Sequence, residues 1–146
     1  MKTALIASDH AGFDLKALFL SQPAGAFGDE ALRFEDLGPT DKSSVDYPDY
    51  AKRLCVELLS GKASVGILIC GSGQGMNIQA NRFKGIRSAL CWDLSSAKLA
   101  REHNNANILC LGSRLIPFGY ALEIAKIFLQ TPFLGGRHQN RLDKLD

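Results

Sequence analysis

Short, continuously apolar runs alternate along the chain with stretches whose apolar residues recur at helical spacing. Thr3–Ser8, Arg33–Leu37, Val65–Cys70, Arg87–Cys91 and Asn107–Leu111 read as strands, and Gly66-Ile67-Leu68-Ile69-Cys70 is the clearest of them. A strand that is apolar at every position, not at every second one, is covered on both faces, as in parallel sheets flanked by helices. Between the runs, Ala51, Leu54, Cys55 and Leu58 fall at i, i+3, i+4, i+7, as do Ala121, Ile124, Ala125 and Phe128. Each set is one face of a helix packed on a core. Leu15, Leu18 and Phe19 form a shorter face, Asp46 ahead of Pro48 suits a helix start, and Gly61 suits a helix end.

This alternation predicts an α/β protein, a three-layer α/β/α sandwich around a Rossmann-like, five-stranded parallel sheet. Right-handed crossovers make 2-1-3-4-5 the expected strand order, with ligands at the carboxyl ends of the strands where the order reverses. The Gly/Ala-rich stretch Gln22–Glu30 reads as a surface loop. Residues 1–131 are expected to form one domain, with 132–146 as a polar C-terminal arm.

Composition narrows the class. A chain of 146 residues suits a single domain that buries its core without metals or disulfides. Its net charge of +2 does not by itself point to nucleic acid or a membrane surface. No apolar run approaches the roughly 20 residues of a membrane span, and the opening run is broken by Asp9 and His10, too early for a signal-peptide core. The four cysteines, Cys55, Cys70, Cys91 and Cys110, form no C-x-x-C pair. Reduced thiols in a cytoplasmic protein are the simplest expectation.

The residues able to do chemistry follow the strands. Ser8-Asp9-His10, Cys70-Gly71-Ser72-Gly73-Gln74-Gly75, Cys91-Trp92-Asp93 and Gly112-Ser113-Arg114 each end a strand, and His103-Asn104-Asn105 ends a helix. These segments are expected to converge on one rim. Glycines 71, 73 and 75 would present backbone N–H groups to a phosphate or a developing oxyanion; a tight turn with no ligand is the plainer alternative. The spacing is G-x-G-x-G, because Met76 stands where a dinucleotide fingerprint wants its last glycine. Cys70, between a strand end and a helix start, would have its thiolate favoured by the helix dipole and could act as base or nucleophile, or simply pack. Cys55, Cys91 and Cys110 read as core. Asp9 could cap the helix that follows it. His10, His103, Arg137 and Arg141 also suit a solvated surface, and Arg114 suits a phosphate. The three histidines are too scattered for a metal site.

Taken in order, these segments resemble the ribose-5-phosphate isomerase type B family, which also includes galactose-6-phosphate isomerase subunits. The similarity runs through Ser8-Asp9-His10-Ala11-Gly12, Asp46-Tyr47-Pro48, the Gly66–Gly75 stretch, Asn81–Arg87, Arg101-Glu102-His103-Asn104, Gly112-Ser113-Arg114 and Gly135–Arg141. The resemblance implies a metal-free, cofactor-free interconversion of ribose 5-phosphate and ribulose 5-phosphate through a cis-enediolate, a step of the pentose phosphate pathway. By the same resemblance, Cys70 is the base and Ser72 assists proton transfer. His103 helps open the sugar ring, with Asp9 nearby. Gly71, Gly73, Gln74 and Gly75 form the cradle for the enediolate oxygen, and Tyr47 and Asn104 contact the sugar. His10, Arg114, Arg137 and Arg141 bind the phosphate. The expected partner is a small phosphosugar, with neither nucleic acid nor membrane. The expected assembly is a homodimer, alone or paired into a tetramer, whose tail arginines reach the neighbouring subunit's site. A 6-phosphohexose isomerase and a non-catalytic phosphosugar-binding module are the alternatives.

Overall fold

The continuously apolar runs are buried on both faces. In the computed structural model, which describes residues 2–145, the first half of the chain runs β1 (Lys2–Ser8), α1 (Phe13–Leu20), β2 (Leu32–Asp36), α2 (Tyr47–Leu59), β3 (Gly66–Cys70) and α3 (Gln74–Ala80). It continues β4 (Ser88–Leu90), α4 (Leu94–Asn104), β5 (Ile108–Gly112), α5 (Phe118–Gln130) and α6 (Arg137–Leu142). Every residue of β3 and β5 is buried. The expected starts and stops hold within a residue or two. Asp46 is the N-cap of α2, and Gly61 just past its end takes φ +87°. The arm adds one element that its polar composition hid, the short helix α6; its last residue, Asp146, lies outside the described residues.

The five strands form one all-parallel sheet in the order β2-β1-β3-β5-β4. This corrects the expected 2-1-3-4-5. The reason is burial: Ile108–Gly112 is apolar throughout and takes the interior position, whereas Ser88-Ala89-Leu90 is three residues long, half-buried, and forms the edge. Helices α1, α4 and α5 pack on one face with Ile6, Ile67 and Leu109, and α2 and α3 pack on the other with Leu5, Leu68 and Cys110. That split is what right-handed crossovers require when the chain reverses direction across the sheet.

The swap of β4 and β5 has a consequence for the site. β3 feeds α3 on one face, while both its neighbours, β1 and β5, feed helices on the other. The carboxyl end of β3 is therefore flanked by two points of divergence, and Cys70 is its last residue. Register keeps the rim level, with Cys70 opposite Gly112 and Ile69 opposite Ser8. Among the described residues, no helix is long and apolar enough to cross a membrane.

Candidate active site

At the carboxyl rim, a cavity of about 440 Å³ is lined by Asp9, Tyr47, Cys70, Gly71, Ser72, Gly75, Arg114 and Leu115. Its parts come from four separate segments, and hydrogen bonds join three of them. The Ser113 N–H donates to the Cys70 carbonyl at 2.9 Å, and the Arg114 N–H donates to the Gly71 carbonyl at 3.0 Å. The Ser113 hydroxyl donates to the Ala11 carbonyl at 2.8 Å, joining the loops after β1 and β5 across 102 residues of sequence. Asp9, buried, accepts the Gly12 N–H at 3.0 Å and so holds the turn into α1. This corrects the expected helix cap: the N-cap of α1 is Gly12, with no side-chain cap bond, and Asp9 braces the turn before it. The Ser72 hydroxyl accepts the Gln74 N–H at 3.2 Å, which leaves its own proton free to donate.

Cys70 differs from the other three cysteines in its partners. Burial pushes its thiol above the ordinary range. The backbone N–H groups of Met76, Gly73 and Ser72 pull it back down, and the charge of Asp9 raises it. The lowering expected from the helix start is therefore real but outweighed by burial. At Cys55 and Cys91 burial pushes the thiol to about 12, and at Cys110 higher still. None of those three receives a backbone N–H. Gly73 makes the convergence on Cys70 possible by taking φ +77° at the turn into α3. A side chain there would also sit 2.9 Å from the Leu111 carbonyl carbon.

Three further residues expected here, His10, Gly73 and Gln74, are not part of its lining. His10 stands on the same loop as Asp9; its Nδ1 accepts the Val45 N–H at 3.2 Å, so the neutral ring carries its hydrogen on Nε2. Gly73 lies buried beneath the loop. Gln74 is exposed and faces a neighbouring hollow with Leu90 and Trp92.

The remaining candidates lie at the opposite rim. Helix α4, capped by Asp93 beside the carboxyl end of β4, runs 11 residues, roughly 16 Å. It therefore ends near the amino ends of the strands. The Arg87 Nε, just ahead of β4, donates to the Asn104 carbonyl at 3.0 Å. The expectation that His103 and Asn104 converge with Cys70 on one rim thus fails within a single chain, because a helix following a parallel strand returns to the start of the next. The arm comes back to the same end. The Leu134 N–H donates to the Glu102 carbonyl at 3.2 Å, and the His138 ring stacks on His103 with centroids 4.3 Å apart. Arg137 and Arg141 are exposed there on α6. The described residues thus gather two clusters, a thiol, a hydroxyl and an arginine at the carboxyl rim, and a histidine pair with two exposed arginines at the amino rim.

Sequence reasoning missed Leu115 in the cavity wall, the Ser113 clamp and the His138 stack. The first has no sequence signal, since an exposed leucine in a loop is ordinary. The other two were inside segments already singled out. Among the described residues, no three His, Cys, Asp or Glu side chains are grouped to hold a metal ion.

A cavity at the divergence points of a doubly wound sheet is where α/β enzymes hold small substrates, and this chain is an enzyme of that class. Residues 4–145 match the profile of the family described as Ribose/Galactose Isomerase, and the chain belongs to that family. Ribose-5-phosphate isomerase B of Escherichia coli is 36% identical over 145 residues, spanning 99% of this chain and 95% of that protein. The structure of Trypanosoma brucei type B ribose 5-phosphate isomerase superposes with a TM-score of 0.93 at 43% identity, covering 99% of this chain and 96% of that one. The ribose 5-phosphate isomerase of Thermotoga maritima gives 0.89 at 48% identity, covering 99% and 97%.

Proposed function

We propose that the protein interconverts D-ribose 5-phosphate and D-ribulose 5-phosphate, with Cys70 as the base. The observation that carries this reading is the placement of Cys70. Of four buried cysteines, it alone ends a strand at the cavity, receives backbone N–H groups and faces Ser72 and Arg114. In the open-chain aldose, the Cys70 thiolate takes the proton from C2, and the electron pair moves into the carbonyl to give a cis-enediolate. The same thiol returns the proton to C1, and Ser72 relays a proton between the two oxygens. The loop from Gly71 to Gly75 supplies N–H groups where negative charge develops. Arg114 and His10 hold the phosphate, whose remote binding energy orients the reacting carbons.

Ring opening needs an acid–base group that the carboxyl rim does not supply alone. His103 takes that part, with Asn104 on the sugar and Arg137 and Arg141 on the phosphate. Their position at the far rim supports a role in a second chain's cavity. The working form is then a homodimer with two sites, each built from the carboxyl rim of one chain and the amino rim of the other. All four cysteines are free, which suits a reducing cytoplasm, where this reaction serves the pentose phosphate pathway.

The test is isomerase activity on ribose 5-phosphate, allose 6-phosphate and galactose 6-phosphate side by side, with chelator present. The expected result is clear preference for ribose 5-phosphate. Activity on a hexose phosphate alone would keep the chemistry and replace the substrate. Inactivity on all three in folded protein would overturn the reading in favour of a phosphosugar-binding module.

A further inference from the structure

The ring stacked on His103 takes no part in the chemistry above. His138 lies flat against it, centroids 4.3 Å apart and planes inclined by 15°. The arrangement is built into the backbone. Gly135 and Gly136 take φ +68° and +56°, which only glycine adopts readily, and turn the arm back onto α4. The His138 N–H donates to the Gly135 carbonyl at 3.1 Å, and the Leu134 to Glu102 bond anchors the turn. Both imidazoles are half-buried.

We propose that His138 is the positioning residue for His103: its ring fixes the plane of the His103 imidazole, which carries the proton exchanged in ring opening. The inference rests on the ring-opening role proposed for His103.

Two imidazolium rings face to face at this distance repel, so protonation of one opposes protonation of the other. The groups around His138 favour its neutral form. Arg137 and Arg141 face it from its own helix, and His103 and Glu102 face it from α4. Burial lowers its pKa most, His103 and the two arginines lower it further, and Glu102 alone raises it. Glu102 is itself paired with Lys98 at 3.7 Å. A neutral ring also leaves the two arginines as the fixed charges for a phosphate dianion, while the stack removes the rotational freedom of the acid–base group beside it.

The experiment compares kcat and KM of the parent, His138→Ala, His138→Phe and His103→Ala on ribose 5-phosphate across pH. Phenylalanine keeps a flat ring that cannot titrate. His138→Ala should lower kcat by about tenfold while KM stays within about twofold. His138→Phe should return kcat to within about twofold of the parent. Parental kcat and pH profile in His138→Ala would overturn the inference, as would a phenylalanine variant no better than alanine. If His138→Ala fails to fold, His138→Leu, which fills the space without a flat ring, takes its place and should show the same loss of kcat; parental kcat there sinks the inference. Retained activity in His103→Ala would instead remove the ring-opening role itself, whatever His138 does.

Discussion

The Tyr47 ring lies directly over Gly75: a Cβ added to that glycine would sit 2.5 Å from the ring. The contact joins the first residue of α2 to the glycine loop after β3 and forms one wall of the cavity. Tyr47 is 41% exposed and Gly75 has no positive φ, so the ring can swing outward without breaking the fold. Gly75→Ala should therefore leave circular dichroism and Tm close to the parent, yet lower kcat/KM by about tenfold or more through the displaced wall. Activity unchanged at the parental level would show that the Tyr47 position does not matter.

The thiols should separate by chemistry. Burial and the Asp9 charge hold Cys70 up while three N–H groups pull it down, whereas the other cysteines lack such donors. The thiolate is the reactive form, and for a raised acid its fraction grows as pH rises toward the pKa, about tenfold per unit. An alkylating reagent should modify Cys70 first, faster at alkaline than at neutral pH, with Cys55, Cys91 and Cys110 lagging. Peptide mapping after brief labelling reads the order. A pH-independent rate above neutrality would mean the thiolate is already formed and would reverse the sign assigned here.

Why the first rim could be read from sequence and the second could not is a matter of topology. In a parallel sheet every strand end falls on the same side, so Asp9, Cys70 and Arg114 were bound to converge once the strands were recognised. Strand order was less legible. It depended on weighing Ser88-Ala89-Leu90 against Ile108-Leu109-Cys110-Leu111 for the interior place, and the crossover rule alone allows either. His103 was misplaced because it ends a helix, and helices here run back to the other rim. The arm's helix escaped notice since Arg137–Leu142 has no buried residue to give it a periodic pattern.

Lys16 offers a stability test away from the chemistry. Its side chain is only 1% exposed, yet its ammonium pairs with Asp36 at 2.8 Å and donates to the Pro39 carbonyl at 2.6 Å. It ties α1 to the end of β2 and to the segment leading to Val45 and Tyr47. Lys16→Met keeps the volume and removes the three-way tie. Asp36, partly exposed, can rehydrate, so the cost should be about 1–3 kcal/mol rather than that of a fully stranded charge. Urea unfolding gives the number, and a midpoint equal to the parent's would mean the tie is dispensable.

The proposed sharing of sites between two chains sets up a test of assembly that single variants cannot provide. Cys70→Ala disables a carboxyl rim, and Arg137→Ala disables an amino rim. If each site draws on both chains of a two-fold dimer, each variant alone is inactive or nearly so. A mixed dimer places both lesions in one site and leaves the other intact. Equal mixing with free exchange yields half mixed dimers, each with one working site, and so about a quarter of parental activity. A double variant, Cys70→Ala with Arg137→Ala in one chain, mixed with the parent gives the control, since every mixed dimer then carries one lesion in each site and contributes nothing. Recovery in the first mixture and none beyond the parental homodimers in the second would place Arg137 and Cys70 of one site on different chains. Absence of recovery, with exchange demonstrated by tagged subunits, would instead require the arm to fold back over its own cavity, which the α4 contacts of this chain oppose.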